Sequence, residues 1–378
     1  MLKRVSIQNF KSLKDVTLDL QKVNLLIGPN NSGKTNFLKA LEFFDLYANE
    51  KASINNSILF HKNPSNRMSI KVSFEEIFGD DKKYYVHYLL SSFVTPSEIL
   101  FNKSNSQVWV FNSQKIDSEE ENKTTVSKSS TAQALDVRLG PLKVYKPDPN
   151  KLIQPGPVGT KEELVNADAS NLVGFLDLML GKYRRNVFSR TEADLHKCIP
   201  EFDEINLDDA SPTDEIKKLF GDKSFKRIGL ANSKQGVTYW ADELSEGTLY
   251  FLALLCIINQ PNPPKLLLLE EPEKGIHPRR IREVMDFIRR LVAEKDIQVI
   301  MTTHSPLLLD EFAESPESVF VFDKDAEGAT IVNNLQRDVI EPANQKNAEL
   351  GIPPVHFTDA LGEYWTIGFL GGVPHETA

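Results

Sequence analysis

The sequence predicts an α/β fold with a mixed or parallel central sheet, an N-terminal antiparallel β-subdomain and a helical insertion that serves as a lid or arm. Three observations lead to this prediction. The first strands alternate apolar and polar residues, later strands are continuously apolar, and helical segments follow those apolar strands. Alternation is typical of antiparallel strands with one wet face, whereas apolar strands that alternate with helices indicate a parallel sheet.

The N-terminal segment contains both kinds of strand. Residues 5–7 and 16–20 are apolar at every second position, which predicts two antiparallel strands joined around the turn 10–13. Val23–Ile27 is nearly all apolar and predicts a strand covered on both faces. Apolar residues at helical spacing then predict a helix over Lys34–Ala48. A strand, a glycine-containing loop and a helix therefore follow one another.

The middle of the chain is less regular. Strands are predicted over 69–74, 84–90 and 107–111. Residues 113–131 are rich in Ser, Lys, Glu and Thr with little apolar content, so we expect an exposed or mobile loop there, most simply the solvated tip of a hairpin with no function. The segment 170–198 has a helical pattern, and we interpret it as the lid or arm.

The second half alternates apolar strands with helical segments. Strands are predicted over 266–269, 298–302 and 318–322, and a helix over 278–294 lies between the first two. Pro278 suits the first turn of that helix, where the missing N–H of proline costs nothing. These strands are expected to complete the parallel sheet.

Composition and length exclude several classes of protein. The 378 residues are 40% apolar and 26% charged with a net charge of −9, which argues against a generally basic nucleic-acid binder but leaves room for a local basic patch. The longest apolar run, 249–258, is about half the length of a membrane-spanning helix, and the N-terminus has no signal-peptide pattern. Of the two cysteines, Cys198 and Cys256, the second lies in this run, which favours a buried thiol and a reducing cytoplasm.

The strongest functional signal lies between the strand Val23–Ile27 and the helix that follows it. It matches G-x-x-x-x-G-K-[ST] and consists of Gly28, Pro29, Asn30, Asn31, Ser32, Gly33, Lys34 and Thr35. Glycines let the backbone wrap around phosphates, and the N–H groups at the helix start supply positive potential. In this chemistry Lys34 reaches the β and γ phosphates and Thr35 binds Mg²⁺. The motif therefore predicts a site for Mg²⁺ and a nucleoside triphosphate.

Two acids, Glu270 and Glu271, follow the predicted strand 266–269. A central strand delivers carboxylates to the edge of a nucleotide site in this way. Because side chains alternate along a strand, the two acids are expected to point in different directions. We expect Glu270 to hold Mg²⁺, directly or through water, and Glu271 to polarise the attacking water. Two acids that merely end a buried strand at the surface are the simpler alternative.

A short motif precedes a helix predicted over 248–258 and consists of Leu244, Ser245, Glu246 and Gly247. Ser245 and the free N–H groups of the helix start would form an anion site. Taken alone, Ser245 would be an ordinary N-cap, with Gly247 easing the turn. The position of the motif shortly before the acid-tipped strand favours the anion site.

His304 follows the end of the predicted strand 298–302. From this edge of the sheet its imidazole can contact a γ-phosphate or the attacking water. A lone histidine at a strand end is usually structural. The order of the motifs along the chain is what favours a catalytic role.

In this order the four elements resemble the Walker A, signature, Walker B and switch-histidine elements of the ATPase heads of the ABC superfamily. The resemblance covers most of the chain and implies a P-loop NTPase fold of the ABC-ATPase type. Within the superfamily, the chain looks like the RecF, SMC and OLD-type group, including small stand-alone predicted ATPases, rather than the transporters. The segments that carry this likeness are 7–13, 28–32, 168–172, 270–273, 276–278 and 361–365.

The resemblance implies cofactors, a partner and a domain organisation. ATP and Mg²⁺ are the expected cofactors, and two copies would sandwich two ATP molecules head to tail, so that Ser245 acts in trans. Residues 1–140, with Walker A and the antiparallel β-subdomain, and 236–378, with the signature, Walker B and the switch histidine, would form one head. Residues 141–235 would form the helical lid or arm.

Three details depart from the common ABC pattern. Glu270 stands where most ABC heads have aspartate, an exchange that the OLD-type group tends to show, and its extra methylene leaves direct ligation of magnesium open. The glutamine that usually completes metal coordination in ABC heads cannot be placed by a motif, and Gln107, Gln114 and Gln154 are the open alternatives. The segment 274–277 replaces the usual dimer-contact loop.

A predicted strand followed by Asp323 and Asp325 resembles the metal-binding strand of a TOPRIM nuclease, in which paired acids bind magnesium for phosphodiester cleavage. A hairpin that turns at 325–328 into a strand at 329–333 is the simpler interpretation. About fifty residues follow, too few for a nuclease domain of ordinary size. OLD nucleases contain such a domain, and we expect none here.

The group resemblance favours an ATPase that acts as an ATP-driven dimerisation switch or sensor. It would control a separately encoded effector, such as a nuclease, in anti-phage defence or DNA maintenance. The alternative is a DNA-binding, RecF-like repair or clamp ATPase whose basic residues touch phosphates. The basic residues in question are Lys182, Arg184, Arg185, Arg190, Lys223, Lys226 and Arg227. A transporter head is a third interpretation, which the acids at 270–271 and the arm fit poorly.

Overall fold

The computed structural model of the protein describes residues 1–63, 65–77, 83–93, 105–113, 124–126, 128–212, 218, 221, 223–274 and 276–373. Its strands, labelled in chain order, are β1 Leu2–Phe10, β2 Leu13–Asp19, β3 Val23–Ile27, β4 Ser69–Ile77, β5 Lys83–Phe93, β6 Asn105–Ser113, β7 Thr124–Val126, β8 Val144–Tyr145, β9 Gly156–Pro157, β10 Glu204–Asp209, β11 Phe225–Asn232, β12 Val237–Trp240, β13 Leu266–Glu270, β14 Gln298–Thr302, β15 Val319–Lys324 and β16 Thr330–Asn334. Its α-helices are α1 Lys34–Ala48, α2 Lys128–Leu139, α3 Pro149–Leu152, α4 Leu172–Lys182, α5 Ser189–Cys198, α6 Glu246–Asn259, α7 Ile281–Lys295, α8 Pro306–Asp310, α9 Glu341–Glu349 and α10 Leu361–Thr366. Shorter turns of 3₁₀-helix are Asn56–Ile58, Phe60–Lys62, Ala241–Glu243, Pro278–Arg280, Pro316–Ser318 and Phe357–Asp359, and turns of π-helix are Arg184–Phe188 and Leu335–Ile340.

The contacts divide the chain into two compact units. The first contains Met1–Val144, Lys265–Pro272 and Arg289–Ala378, and the second contains Tyr145–Pro264 and Glu273–Ile288. The contacts thus group the motif 244–247 with the helical segment, whereas the predicted lobes place it with the C-terminal residues. The lobe boundaries stay a prediction.

The first unit contains a mixed sheet with the strand order β16-β15-β3-β14-β13-β8. Strands β15, β3, β14 and β13 run parallel, and β16 pairs with β15 in the antiparallel direction. The parallel strands are buried over most of their length, which explains why they are continuously apolar. The predicted α/β class is confirmed, and the carboxyl ends of the parallel strands lie at one edge of the sheet.

Helix α1 follows β3 and packs through its apolar face. Phe37, Leu38, Leu41 and Phe44 are at most 1% exposed. The ring of Phe37 meets that of Phe322 on β15 edge to face, with centroids 6.2 Å apart. The helix spans the residues that the apolar spacing predicts, because its side chains at this spacing share one face.

The first unit also contains an antiparallel sheet with the strand order β2-β1-β4-β5-β6-β7. Val5 lies opposite Leu18, Ile7 lies opposite Val16, and all four are buried. The alternation in the sequence therefore reflects one buried face, as predicted for the β-subdomain. Strands β4, β5 and β6 extend beyond their predicted ends because backbone pairing continues past the strongly apolar positions.

The prediction of an exposed loop over 113–131 is wrong for the last part of this segment, whereas the hairpin interpretation agrees with the antiparallel pair of β6 and β7. Strand β7 pairs with β6, and helix α2 begins at Lys128. Local composition does not reveal β7, because the strand joins an existing sheet through backbone pairing. The helix is also hidden, because its buried Leu135 lies beyond the polar window. The part of the prediction over 114–123 lies outside the described residues.

The hairpin interpretation of the segment after Phe322 is confirmed. In the antiparallel pair of β15 and β16, Lys324 lies opposite Thr330. Asp325 Oδ1 accepts hydrogen bonds from the N–H groups of Glu327 and Ala329. This carboxylate therefore closes a turn, which is a common use of aspartate.

The second unit contains helices α4 and α5, which are joined by the π-helical turn Arg184–Phe188. The prediction of a helical segment over 170–198 is thus confirmed. A small sheet is formed by β10, β11 and β12, with β9 beside β11. The helix predicted to begin near Pro278 is present as the 3₁₀ turn Pro278–Arg280, which continues into α7.

Helix α6 begins at Glu246, two residues before its predicted start, and is buried over nearly its whole length. The predicted buried thiol is confirmed, because Cys256 lies within this helix and burial raises its pKa. No helix in the described part of the chain is long and apolar enough to cross a membrane. The cytoplasmic location stays a prediction.

Candidate functional site

The carboxyl-terminal ends of β3, β13 and β14 border a cavity of about 290 Å³ in the first unit. Because these strands are parallel neighbours, the residues that follow them meet at one edge of the sheet. The cavity is lined by Asn30, Asn31, Ser32, Gly33, Lys34, Thr35, Asn36, Lys39, Glu270, Glu271, Thr302 and His304. The structure thus brings together most of the phosphate-loop motif, both acids and the histidine.

Two glycines of the loop cannot be replaced without moving their neighbours. Gly28 and Gly33 have φ angles of 138° and 111°, a region that other residues rarely adopt. A Cβ at Gly28 would lie 2.2 Å from the carbonyl oxygen of Phe322, and one at Gly33 would lie 2.2 Å from Thr330 Oγ1. The backbone conformation and the packing on the β15–β16 hairpin therefore both require glycine.

The start of α1 offers a site for an anion. Gly33 is the N-cap, no side chain caps the helix, and its first turn contains no acid. The N–H groups at such a helix start carry partial positive charge and lack intrahelical acceptors. Lys34, Thr35 and Asn36 of this turn line the cavity. The buried hydroxyl of Ser32 has no hydrogen-bond partner among the described residues, so a ligand oxygen would complete this polar surface.

The ammonium group of Lys34 lies inside the loop. Its Nζ donates hydrogen bonds to the carbonyl oxygens of Gly28 over 2.7 Å and Pro29 over 2.9 Å. The residue is only 5% exposed. These contacts restrict a long side chain that would otherwise occupy many rotamers. The positive charge is therefore already in place for a phosphate that binds at the helix start.

Thr35 and Glu270 are neighbours at the cavity wall. Thr35 Oγ1 donates a hydrogen bond to Glu270 Oε1 over 3.4 Å. A hydroxyl and a carboxylate suit Mg²⁺, which usually takes one or two protein oxygens and completes its coordination with water and substrate phosphates. The pair therefore fits a magnesium ion that is bound together with a phosphate substrate.

Glu271 leaves the strand in a left-handed turn. Its φ is 52°, and its N–H donates to the carbonyl oxygen of Thr302 over 3.1 Å. This conformation is rare for a residue with a Cβ. Its Oε1 lies 3.7 Å from Nε2 of His304. Glu270 and Glu271 thus have different partners, as expected, although a backbone turn accompanies the change rather than continued strand alternation.

The motif 244–247 lies in the second unit, at the start of helix α6. Ser245 is the N-cap, and its Oγ accepts a hydrogen bond from the N–H of Thr248 over 3.1 Å. Ser245 and Glu246 are exposed, whereas Gly247 is buried in the first turn. The N-cap interpretation is therefore confirmed. Ser245 and Glu246 are open to solvent at this helix start.

The structure does not select a glutamine for metal coordination. Gln107 lies on β6, opposite Ser91 of β5. Gln154 lines a separate cavity of the second unit. Gln114 lies outside the described residues. The three alternatives therefore stay open.

Several residues at the site have no motif of their own. Asn36 and Lys39 line the cavity from α1, where Lys39 lies one helical turn after Thr35. The helical position of Asn36 and Lys39, just after Thr35 of the motif, would have identified both residues from the sequence. Ser12 and Thr330, whose hydroxyl oxygens lie 2.9 Å apart, meet behind the loop, and no local pattern connects them.

A family model described as "AAA domain, putative AbiEii toxin, Type IV TA system" matches residues 23–310. The matched range is more than half of the chain. It contains the phosphate loop, the motif 244–247, both acids and His304.

Curated relatives match shorter stretches. A "Putative ABC transporter ATP-binding protein" of Methanosarcina mazei is 37% identical over 91 residues, which are 24% of this chain and 14% of that protein. The "Energy-coupling factor transporter ATP-binding protein EcfA2" of Enterococcus faecalis is 26% identical over 142 residues, which are 37% of this chain and 46% of that protein. The chain thus spans less than half the length of either relative.

Two solved structures are similar along nearly the whole chain. The "Crystal structure of the SmcHead bound to the C-winged helix domain of ScpA" has a TM-score of 0.57 at 16% identity and covers 89% of this chain and 99% of that chain. The "SMC head domain from Thermotoga maritima" has a TM-score of 0.50 at 12% identity and covers 88% and 98%. The protein therefore has an α/β fold that resembles the SMC head, which confirms the predicted fold class. The OLD-type likeness stays a prediction.

Proposed function

The chain belongs to the family described as AAA domain, putative AbiEii toxin, Type IV TA system, and from this premise we propose that it is an Mg²⁺-dependent ATP hydrolase of the ABC type. The observation that supports this most directly is the cavity at the strand ends. There the Thr35–Glu270 pair and the Glu271–His304 pair lie with the uncapped start of α1. In the hydrolysis of a triphosphate, the Thr35–Glu270 pair would supply oxygen ligands for Mg²⁺, and the Glu271–His304 pair would act on the attacking water.

Each side chain has a role in this proposal. Lys34 and the first-turn N–H groups of α1 bind the phosphates. Thr35 and Glu270 hold Mg²⁺, which when bound neutralises charge on the phosphate oxygens. Glu271 takes a proton from water as the water oxygen attacks the γ-phosphorus, and the bond from this phosphorus to the bridging oxygen breaks to give ADP and inorganic phosphate. His304, beside Glu271, contacts the γ-phosphate or orients the water.

The proposal includes a head-to-tail dimer that closes on ATP. It is supported by the exposure of Ser245 at the start of helix α6. The N–H groups of a helix start stabilise an anion, which a phosphate bound in the cavity of one copy would supply to its partner, while the carboxylate of Glu246 in the same turn opposes this attraction. ATP binding would then hold two copies together, and hydrolysis would release them.

Closing and opening of the dimer would be the basis of the biological role. We propose that the protein is a switch or sensor that controls a separately encoded effector, such as a nuclease, in anti-phage defence or DNA maintenance. A change between two assembly states is a common means of control, because a ligand that binds one state better shifts the population toward it. The helical segment of α4 and α5 would be the place where such an effector docks.

Nucleotide binding provides the first test. We predict that the protein binds Mg·ATP and that Lys34→Ala abolishes this binding, because the ammonium group held by the carbonyls of Gly28 and Pro29 is removed. Isothermal titration calorimetry measures the affinity. Lys22→Ala is a matched control, since Lys22 is a lysine of the same unit that forms an ion pair with Asp296. Undiminished binding of ATP by Lys34→Ala would show that the loop is not the site.

A DNA-binding clamp ATPase is the second candidate, and the charge pattern of the second unit favours it. Arg184, Arg185 and Arg190 are exposed and form no ion pair within the described ranges. Three of the other basic residues singled out in the sequence are neutralised, namely Lys182 by Glu163, Lys226 by Asp177 and Arg227 by Asp208, and the remaining Lys223 is exposed. Exposed arginines near one another in sequence, Arg184 and Arg185 on the π-helical turn and Arg190 on α5, suit a phosphate backbone.

Salt-dependent binding to duplex DNA distinguishes the two candidates. The clamp ATPase predicts binding that is lost when Arg184 and Arg185 are both changed to Glu. Changing Lys14 and Lys22 to Glu alters the net charge equally and serves as the control. Absence of DNA binding by the unmodified protein at low salt would favour the effector switch.

A further inference from the structure

Thr330 belongs to no motif of the chain, yet its side chain contacts the phosphate loop. The residue begins β16 and is 4% exposed. Its Oγ1 donates a hydrogen bond to the carbonyl oxygen of Ser32 over 2.8 Å. A Cβ at Gly33 would lie 2.2 Å from the same oxygen atom of Thr330. Thr330 therefore packs directly against the loop at the point where α1 begins.

The hydroxyl of Thr330 is part of a longer chain of hydrogen bonds. Ser12 Oγ lies 2.9 Å from Thr330 Oγ1, and Asn36 Nδ2 donates to Ser12 Oγ over 2.9 Å. Because the single hydroxyl proton of Thr330 goes to Ser32, the proton of Ser12 must go to Thr330. The bonds therefore run in one direction, from Asn36 through Ser12 and Thr330 to the Ser32 carbonyl.

The backbone of the hairpin supports this arrangement. The N–H of Thr330 donates to the carbonyl oxygen of Ser12 over 2.9 Å. Thr330 is thus held by its main chain and by its side chain at the same place. Its hydroxyl has little freedom to turn away from the loop, because it donates to Ser32 and accepts from Ser12.

The contact with Thr330 fixes the direction of one peptide group. In a trans peptide the C=O and the following N–H point in opposite directions. The carbonyl of Ser32 points to Thr330, so the N–H of Gly33 points away from Thr330. Gly33 lines the cavity, and an N–H held in place before a ligand arrives binds it without the cost of reorientation.

We propose that Thr330 is a positioning residue for nucleotide binding, whose hydroxyl holds the Ser32 carbonyl so that the N–H of Gly33 faces a phosphate of the nucleotide. Thr330 does not contact the nucleotide itself. Ser12 keeps the Thr330 hydroxyl pointed at Ser32 by donating its own proton to it. The inference rests on the proposed function, because Thr330 can position an N–H group for a phosphate only if the loop binds ATP.

Two substitutions at one position separate the hydroxyl from the shape of the side chain. Thr330→Val removes the hydroxyl and keeps the branched shape, whereas Thr330→Ser keeps the hydroxyl. We expect Thr330→Val to weaken the binding of Mg·ATP about three- to tenfold, the equivalent of one net hydrogen bond. Thr330→Ser should bind within about twofold of the unmodified protein. Isothermal titration calorimetry with Mg·ATP measures both affinities.

A buried threonine of the second unit provides the matched control. Thr191 is 1% exposed, and its Oγ1 donates to the carbonyl oxygen of Val187 over 2.9 Å. Thr191→Val removes the same kind of bond outside the phosphate site. It should lower the melting temperature as Thr330→Val does and leave the affinity for Mg·ATP unchanged.

Three results would overturn the role of Thr330. The first is an unchanged affinity for Mg·ATP in Thr330→Val. The second and third are a loss of affinity in Thr330→Ser, or in Thr191→Val, that is as large as the loss in Thr330→Val. If Thr330→Val does not fold, Ser12→Ala gives the same test, with weakening expected and unchanged affinity contradicting the proposal. If the unmodified protein does not bind Mg·ATP, the proposed function itself fails, and the role of Thr330 falls with it.

Discussion

Glu271 is held at the cavity by a backbone conformation that residues with a Cβ rarely adopt. A φ of 52° costs about 1–3 kcal/mol, which the surrounding structure must offset. The hydrogen bond from its N–H to the carbonyl of Thr302 helps to offset this cost. Glu270, the preceding residue, contacts Thr35. The two adjacent carboxylates therefore differ in these contacts, and we assign them separate roles.

The assignment of Glu271 as the base predicts a specific kinetic defect. Glu271→Gln keeps the size of the side chain but cannot accept the proton of the attacking water. We expect ATP turnover to fall about 100-fold or more while the affinity for ATP is retained. Phosphate release under saturating ATP measures the turnover. Hydrolysis at the unmodified rate would contradict the assignment.

Glu270→Gln is the matched control for that measurement, since it makes the same chemical change one residue earlier. Its defect should differ, because Glu270 is assigned to the metal with Thr35. We expect a higher Mg²⁺ concentration to be needed for half-maximal turnover. An identical Mg²⁺ requirement in Glu270→Gln and in the unmodified protein would remove Glu270 from the metal site.

The elements around the phosphate loop show what the sequence can predict. Strand β3, the loop and helix α1 have the predicted order and bounds, because each depends on a local pattern of apolar spacing and glycines. The contact between Thr330 and Ser32 joins residues 298 positions apart. No local pattern encodes it, since it arises only when the β15–β16 hairpin pairs beside β3. The residues assigned to phosphate binding could thus be predicted from the sequence, and Thr330, which packs against them, could not.

Helix α1 contains a titratable group that makes stability depend on pH. Asp45 is 8% exposed, and desolvation raises its pKa to about 6. The folded protein therefore binds a proton between about pH 4 and 6 that the unfolded chain does not bind. Stability from this residue falls as the pH rises through that window, by about 3 kcal/mol in total.

The prediction for this helix is that Asp45→Asn stabilises the protein at pH 7. The amide cannot ionise, so the free energy of unfolding should rise by up to about 3 kcal/mol at pH 7 and change little below pH 4. Urea unfolding of both proteins at several pH values measures the difference. A gain that is the same at pH 4 and pH 7 would show that ionisation of Asp45 is not its cause.

His87 makes a comparison with the unmodified protein necessary. Burial in the antiparallel sheet lowers the pKa of His87 to about 4, and its Nδ1 lies 2.7 Å from Ser73 Oγ. Here the unfolded chain binds the additional proton between about pH 6.5 and 4, so stability falls as the pH falls through that range. The effects of His87 and Asp45 have opposite signs. Only the difference in the free energy of unfolding between Asp45→Asn and the unmodified protein isolates the effect of Asp45.

At the scale of the whole molecule, the residues assigned to ATP are divided between the two units. The phosphate loop, both acids and His304 belong to the first, and Ser245 belongs to the second. The cavity is lined by first-unit residues. We propose that a second copy supplies the remaining contact, and the family resemblance led to the same expectation from the sequence.

The dimer predicts a change of mass that depends on the nucleotide. With Mg·ATP, Glu271→Gln should form a stable dimer, because ATP binds and is not consumed. Size-exclusion chromatography with light scattering measures the mass. Adding Ser245→Arg to this variant should prevent the dimer, because the long arginine side chain replaces the Ser245 hydroxyl and leaves no room for close contact between the helix start and the partner's phosphate. A dimer that forms equally well with Ser245→Arg would contradict a role of Ser245 in the interface.

The helix cap needs its own control in such experiments. Ser245 is the N-cap of α6, so Ser245→Arg also costs about 1 kcal/mol of helix stability. Ser245→Asn keeps a good N-cap and changes the side chain that faces the partner. If Ser245→Asn has the thermal stability of the unmodified protein but reduced ATP turnover, the effect on turnover is not one of folding.

Complementation between two inactive variants tests the central proposal most directly, namely that one ATP is held by two chains. Lys34→Ala and Ser245→Arg should each be inactive alone. In an equal mixture, a heterodimer has one site with both defects and one site with neither, so ATP turnover should recover to at most about one quarter of the unmodified protein's rate. Recovery that rises with the fraction of heterodimer is the predicted result. No recovery in a mixture that forms heterodimers, or full activity of Ser245→Arg alone, would contradict the account.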